Sequence, residues 1–149
     1  DVAGSGGTNF IAIEAARDRY NLSATELAWG IPTAISALEV ASVLPPGVDL
    51  IISGGIRSAL DIVKALACGG RAVGMAAPVL KAISQDGVEG AVAWFENLLF
   101  DVRRYMLLCG AAQPDQLTAV PMVISGKSRE WLTARNIDIK VYANRQKHG

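Results

Sequence analysis

A chain of 149 residues, 51% of them hydrophobic, is long enough for one domain with a sizeable core and gives no sign of a second. Fourteen basic and fourteen acidic residues cancel to a formal charge of zero with a pI near 6.8, so no basic field exists to hold nucleic acid or an anionic membrane surface. No apolar run reaches the roughly 20 residues that cross a bilayer, no signal peptide is recognised, and two well-separated cysteines beside a single His suggest neither a disulfide framework nor a zinc site. A reducing cytoplasm is the expected compartment.

The chain opens on Asp rather than Met, and Asp1-Val2-Ala3 reads as the end of a strand running into the glycine loop Gly4-Ser5-Gly6-Gly7, with Thr8 and Asn9 adding a hydroxyl and an amide. The loop is glycine-rich enough for close backbone approach, although it also reads as a plain flexible turn. Helical spacing at Phe10, Ile13 and Ala16 predicts a helix burying that stripe, with Glu14 and Asp18 facing away. Glu14 is read as a solvated or capping carboxylate, since no second acid stands where it could share acid-base work. Ser23 with Glu26 three positions on forms a capping pattern. Pro32 suits the first turn of a further helix with the stripe Ile31, Ile35, Leu38 and Val43, which Pro45-Pro46-Gly47 ends. Trp29 reads as a packing residue at the entry to that helix.

The most informative stretch runs from Val48 to Pro78. An unalternating apolar run at Val48–Ile52 breaks at Ser53-Gly54-Gly55, passes Arg57, continues at helical spacing through Leu60, Val63, Leu66 and Ala67, and turns at Gly69-Gly70 into a second run at Ala72–Ala76. This predicts a strand-helix-strand unit with parallel strands buried on both faces. Its chemistry lies at one end. Glycines after the first strand admit a ligand to the backbone, and free N–H groups of Gly55, Ile56 and Arg57 at the opening of the helix favour an anion. The second strand ends in Ala76 and Ala77, also without bulk. Two neighbouring bare strand ends, one capped by a helix N-terminus, match the phosphate site of (β/α)8 barrels after strands seven and eight. A whole barrel takes about 250 residues, so residues 1–149 are expected to be the C-terminal portion of a single α/β barrel whose upstream strands are missing.

Beyond Pro78, a brief apolar segment at Val79–Ile83 precedes Asp86-Gly87 and a long helix with the stripe Val88, Ala91, Val92, Phe95, Leu98, Leu99, Val102, Tyr105 and Met106. Gly110 ends that helix and Asp115 can cap a short turn around Leu117. Val120–Ile124 contains Pro121 and reads as an edge or extended segment. Gly126-Lys127-Ser128-Arg129-Glu130-Trp131-Leu132 opens a last short helix. Cys68 and Cys109 fall at helix ends as structural residues, and His148 lies in a polar tail without a catalytic role.

The stretches DVAGSGGTNF, WGIPTA, IISGGIRSALDIVKALACGGRAVGMAAP and GKSREWL resemble the C-terminal portion of type 2 isopentenyl diphosphate isomerases, over nearly the whole chain up to about Ile137. SGGIR is shared with the wider group of FMN-dependent barrels, whereas DVAGSGGTNF, WGIPT and VGMA together are particular to the isomerases. The resemblance implies an FMN- and Mg²⁺-dependent interconversion of isopentenyl and dimethylallyl diphosphates in isoprenoid biosynthesis. Reduced flavin, maintained by NAD(P)H or another reductant, would act in proton transfer with no net redox change, in a cytoplasmic homo-oligomer of four or eight full-length chains. It also implies FMN contacts at Thr8, at the first phosphate turn formed by Gly54, Gly55, Ile56 and Arg57, and at the second formed by Ala76 and Ala77. Ala3 departs from the pattern, standing where a flavin-touching Ser is often found.

By this resemblance the family's Gln and Glu that meet substrate and Mg²⁺, its flavin-contacting Lys and its N-terminal Arg-Lys would all precede Asp1, so no catalytic or metal-binding residue is expected here. The isolated chain is expected to be inactive and to bind FMN weakly or not at all. A 2-hydroxy-acid oxidase of similar fold would carry an active-site His in the glycine loop, and a nucleotide dehydrogenase a nucleophilic Cys on a mobile loop; neither is present. A non-catalytic half-barrel that binds a phosphorylated ligand or a partner chain is the remaining alternative.

Overall fold

Three short strands carry the architecture: β1 (Val2–Ala3), β2 (Ile51–Ser53) and β3 (Ala72–Val73). They pair in parallel in the order β1-β2-β3, with Val2 opposite Ile52 and Ile52 opposite Val73. The computed structural model describes residues 1–19 and 21–145; His148 lies outside the described residues. Parallel neighbours need crossover connections, and helices supply them. Between β1 and β2 come α1 (Phe10–Asp18), α2 (Ala24–Leu27) and α3 (Thr33–Val43); between β2 and β3 comes α4 (Ala59–Ala67). After β3 the chain forms α5 (Ala77–Leu108), a 3₁₀ segment (Pro114–Ala119), α6 (Gly126–Ala134) and α7 (Lys140–Ala143).

Helix boundaries follow local chemistry. Ser23 and Glu26 make the anticipated capping box, and Ser58 with Asp61 makes a second at α4. Helix α4 ends at Cys68 in a Schellman motif, where the amides of Gly69 and Gly70 donate to the carbonyls of Leu66 and Ala65. Gly110 and Ala111 close α5 in the same way, on Leu107 and Met106. Asp115 does not cap the 3₁₀ segment. Gln116 does so instead, its side-chain oxygen accepting from the amides of Ala112 and Gln113.

Packing gathers into two clusters on the helical side of the sheet. Val2, Ile52, Ile35 and Leu38 form one with Leu132 and Tyr142, while Val63, Leu66, Val102, Met106 and Leu117 form the other. Cys68 is buried and Cys109 partly so, neither in a disulfide, as helix-end residues should be. Burial pushes the Cys68 thiol pKa up.

Several expected faces are differently placed. The strands are covered on one side only among the described residues: Ile52 is buried, but Ile51 is 42% exposed, because no described element covers the other side of the sheet. Only Ala15 of α1 is buried, so the Phe10, Ile13, Ala16 stripe does not pack inward. Trp29 is 76% exposed and is not a packing residue. Helix α3 buries Ile35, Ala37 and Leu38 but leaves Val43 in solvent, and the long stripe of α5 is covered only at Ala91, Val102 and Met106 with Leu98 and Tyr105 partly buried. Val79–Ile83 belongs to α5, which begins at Ala77 and is broken at Gly87 (φ 68°, ψ −162°). Val120–Ile124 is extended outside the sheet, and α7 follows the helix expected to be last.

Candidate functional site

The ends of the three strands converge on one cavity of about 670 Å³, within the range of small-molecule sites. All seven residues singled out from the sequence line it: Thr8 from the loop after β1, Gly54, Gly55, Ile56 and Arg57 from the turn after β2, and Ala76 and Ala77 after β3. Ala3 lines it too, as do Gly74 and Met75. Arg57 is the one charged residue among the lining positions.

The wall is backbone rather than side chain because the loops pack glycine against glycine. Gly54 and Gly55 both have φ near +80°, which L side chains rarely adopt. A Cβ on Gly55 would stand 2.8 Å from Gly6 Cα, and one on Gly7 would stand 3.1 Å from Gly54 Cα. Gly4 is pressed against Thr33 and Ile31 just as closely, and the Ser5 amide donates to the Ile31 carbonyl at 2.8 Å. The glycines of the first loop thus serve the seating of the turn after β2, a role the spacing of GSGG does not reveal.

Which amides stay open decides what the cavity can hold. Among the described residues, those of Gly55, Ile56, Ala76 and Ala77 make no hydrogen bond. Arg57 differs from expectation, its amide donating to Asp61 Oδ2 at 3.1 Å while the Ser58 amide and hydroxyl donate to the same oxygen at 3.0 and 2.8 Å. Helix α4 therefore begins at Ala59, not at Gly55, and its positive end already faces a carboxylate of its own. Burial by itself would raise the Asp61 pKa, but the Ser58 hydroxyl and the two amides outweigh it and hold that carboxyl below its ordinary value.

Of the two helices that follow the lining turns, α4 and α5, the uncompensated one is α5. Ala76 supplies no side-chain cap, no acid stands in the first turn, and Pro78 removes one further donor. Its helical start at Ala77 is hidden by the apolar composition of Val79–Ile83, and Pro78 beside the first helical position is the local signal for it. Four open amides, one helix N-terminus and one guanidinium around small residues suit a phosphate group, and no side chain fills the space the ligand would take. FMN fits this donor set through its phosphate.

Comparison with known proteins agrees with that chemistry. Residues 28–123 match the FMN-dependent dehydrogenase family, and the chain belongs to it. It is similar to the isopentenyl-diphosphate delta-isomerases of Geobacillus sp. (strain WCH70), 49% identical over 97% of this chain and 41% of that protein, and of Symbiobacterium thermophilum, 44% identical over 97% and 40%. That of Methanopyrus kandleri is 38% identical over 93% and 39%. The chain thus spans about two fifths of the length of these relatives. Among solved structures, a mutant flavocytochrome b2 with benzoylformate superposes with a TM-score of 0.54 at 22% identity, covering 83% of this chain and 38% of that one. The fold is the C-terminal part of a (β/α)8 barrel. No helix among the described residues is long and apolar enough to cross a membrane.

Proposed function

We propose that residues 1–149 are the flavin-phosphate-binding portion of an FMN-dependent isopentenyl-diphosphate isomerase. One observation carries the reading: the turns after β2 and β3 bring Gly55, Ile56, Ala76 and Ala77, whose amides make no hydrogen bond among the described residues, to one cavity that Thr8 also lines. In this reading Thr8, Gly54, Gly55, Ile56, Arg57, Ala76 and Ala77 bind the cofactor, the amides and Arg57 acting on its phosphate. Bound FMN supplies the acid-base chemistry of the double-bond shift. The residues of this chain hold it in register and exclude water from its phosphate end. Similarity to three isomerases at 38–49% identity supports the substrate pair isopentenyl and dimethylallyl diphosphate.

Resemblance to the isomerases supports the finer points: Mg²⁺ on the substrate diphosphate, NAD(P)H as reductant of the flavin, a cytoplasmic setting and a tetramer or octamer of full-length chains. The chain is a portion of one barrel domain, so by itself it is inactive, because the exposed side of its sheet lacks the remaining walls of the site. A 2-hydroxy-acid oxidase reading is less well supported, since the likeness to flavocytochrome b2 speaks for the fold alone.

The test is a titration of the ¹⁵N-labelled chain with FMN, followed by its amide resonances. Shifts confined to Thr8, Gly55, Ile56, Ala76 and Ala77 are expected, at millimolar FMN if binding is weak. Saturating FMN that left all of these unmoved would remove the site. Turnover of isopentenyl diphosphate by the chain alone, at the rate of a whole isomerase, would overturn the division of labour.

A further inference from the structure

We infer that Thr33 is a positioning residue for the phosphate site, acting through the Gly54–Gly55 peptide; this rests on the phosphate reading above. The Thr33 hydroxyl donates to the Gly54 carbonyl at 2.7 Å across 21 positions of sequence. Thr33 does not line the phosphate cavity. It lines a neighbouring groove of about 340 Å³ between α3 and α4, which shares Gly54, Gly55, Ile56 and Arg57 with that cavity. The peptide is trans, so the carbonyl of Gly54 and the N–H of Gly55 point in opposite directions. Holding the carbonyl toward Thr33, which does not line the cavity, turns the Gly55 N–H away from Thr33 and, in this inference, toward the phosphate.

The turn needs such a tether. Gly54 and Gly55 flank this peptide with φ +80° and +81°, and glycines have several accessible wells on either side of a peptide. Without a bond on its carbonyl, the plane can rotate and aim an oxygen at a phosphate where a donor is required. Thr33 is itself well fixed. It opens α3 directly after Pro32, and its backbone sits against Gly4, whose missing side chain leaves room for it. One hydroxyl therefore links three things: the entry of α3, the first glycine loop and the orientation of the phosphate turn.

The experiment uses the 149-residue chain with inorganic phosphate as the probe. In the unmodified protein, phosphate is expected to shift the amides of Gly55, Ile56, Ala76 and Ala77. Thr33→Val should change the residual dipolar coupling of the Gly55 N–H and weaken phosphate about tenfold, the loss expected when one charge-assisted hydrogen bond is misdirected. Thr33→Ser, which restores the hydroxyl, should recover both; a merely structural role for the threonine methyl would not be rescued this way. Thr33→Ala gives the same comparison if valine is not accommodated. A Thr33→Val protein with unchanged Gly55 coupling and unchanged affinity overturns the inference while leaving the phosphate site standing. A parent protein whose four amides ignore phosphate overturns the site reading, and this inference with it.

Discussion

Three glycines with almost the same φ offer a graded experiment on what the turn after β2 requires. Gly47, Gly54 and Gly55 have φ of +83°, +80° and +81°, so alanine meets a positive-φ penalty at each, about 1–2 kcal/mol. Their surroundings differ. A Cβ on Gly47 meets nothing within 4 Å; on Gly54 it stands 3.1 Å from Gly4 N, and on Gly55 2.8 Å from Gly6 Cα and 2.9 Å from Gly6 O. The obstruction at Gly55 is main chain and cannot swing aside, which adds an overpacking cost of about 1–3 kcal/mol. Gly47→Ala should therefore lose about 1–2 kcal/mol and Gly55→Ala about 2–5 kcal/mol, with Gly54→Ala between them. Urea denaturation at 25 °C, analysed with one m-value if the slopes agree, measures all three. Equal losses at Gly47 and Gly55, within about 0.5 kcal/mol, would refute the claim that loop-on-loop contact fixes the turn. A bulky substitution at Gly55 perturbs this contact before it reports on any ligand.

Other outcomes follow from the same geometry. Ala77→Glu brings a carboxylate into the cavity at an exposed position on the first turn of α5, and should cut phosphate affinity at least about tenfold with stability unchanged or slightly raised; amide titration and denaturation check the two halves. Leu117, fully buried among Leu66, Met106 and Val102, should cost about 2–5 kcal/mol on truncation to Ala, read by thermal or chemical unfolding. Asp61 has a depressed pKa when folded, so its contribution to stability is complete above the ordinary aspartate value and disappears as pH falls through the folded value. The stability difference between the parent protein and Asp61→Asn should thus narrow below about pH 4, and a difference that stayed constant from pH 6 to about pH 2 would show that Asp61 does not titrate against its amide partners.

Much of the site could be read from residues alone, since Gly54-Gly55 after an apolar run and Ala76-Ala77 after another are local signals of strand ends without bulk. What escaped was non-local. The Ser58 and Asp61 pair was visible in the sequence, yet its consequence, an Arg57 amide turned away from the ligand, depends on where the side chain folds back. Thr33 stood in a motif with no assigned part because its carbonyl partner lies 21 residues downstream. The exposed stripes of α1 and α5 show the limit of periodicity: it identifies the face a helix can bury, while tertiary neighbours decide whether it is buried.

The break at Gly87 divides α5 into a front piece that carries Ala77 and a rear piece whose Val102 and Met106 are anchored beside α4. Its dihedrals lie where essentially only glycine can rest, although a side chain there would meet nothing within 4 Å. The orientation of the front piece, with the turn after β3 at its tip and Ala82 packed inward, is thus set through one joint that tolerates no other residue type without strain.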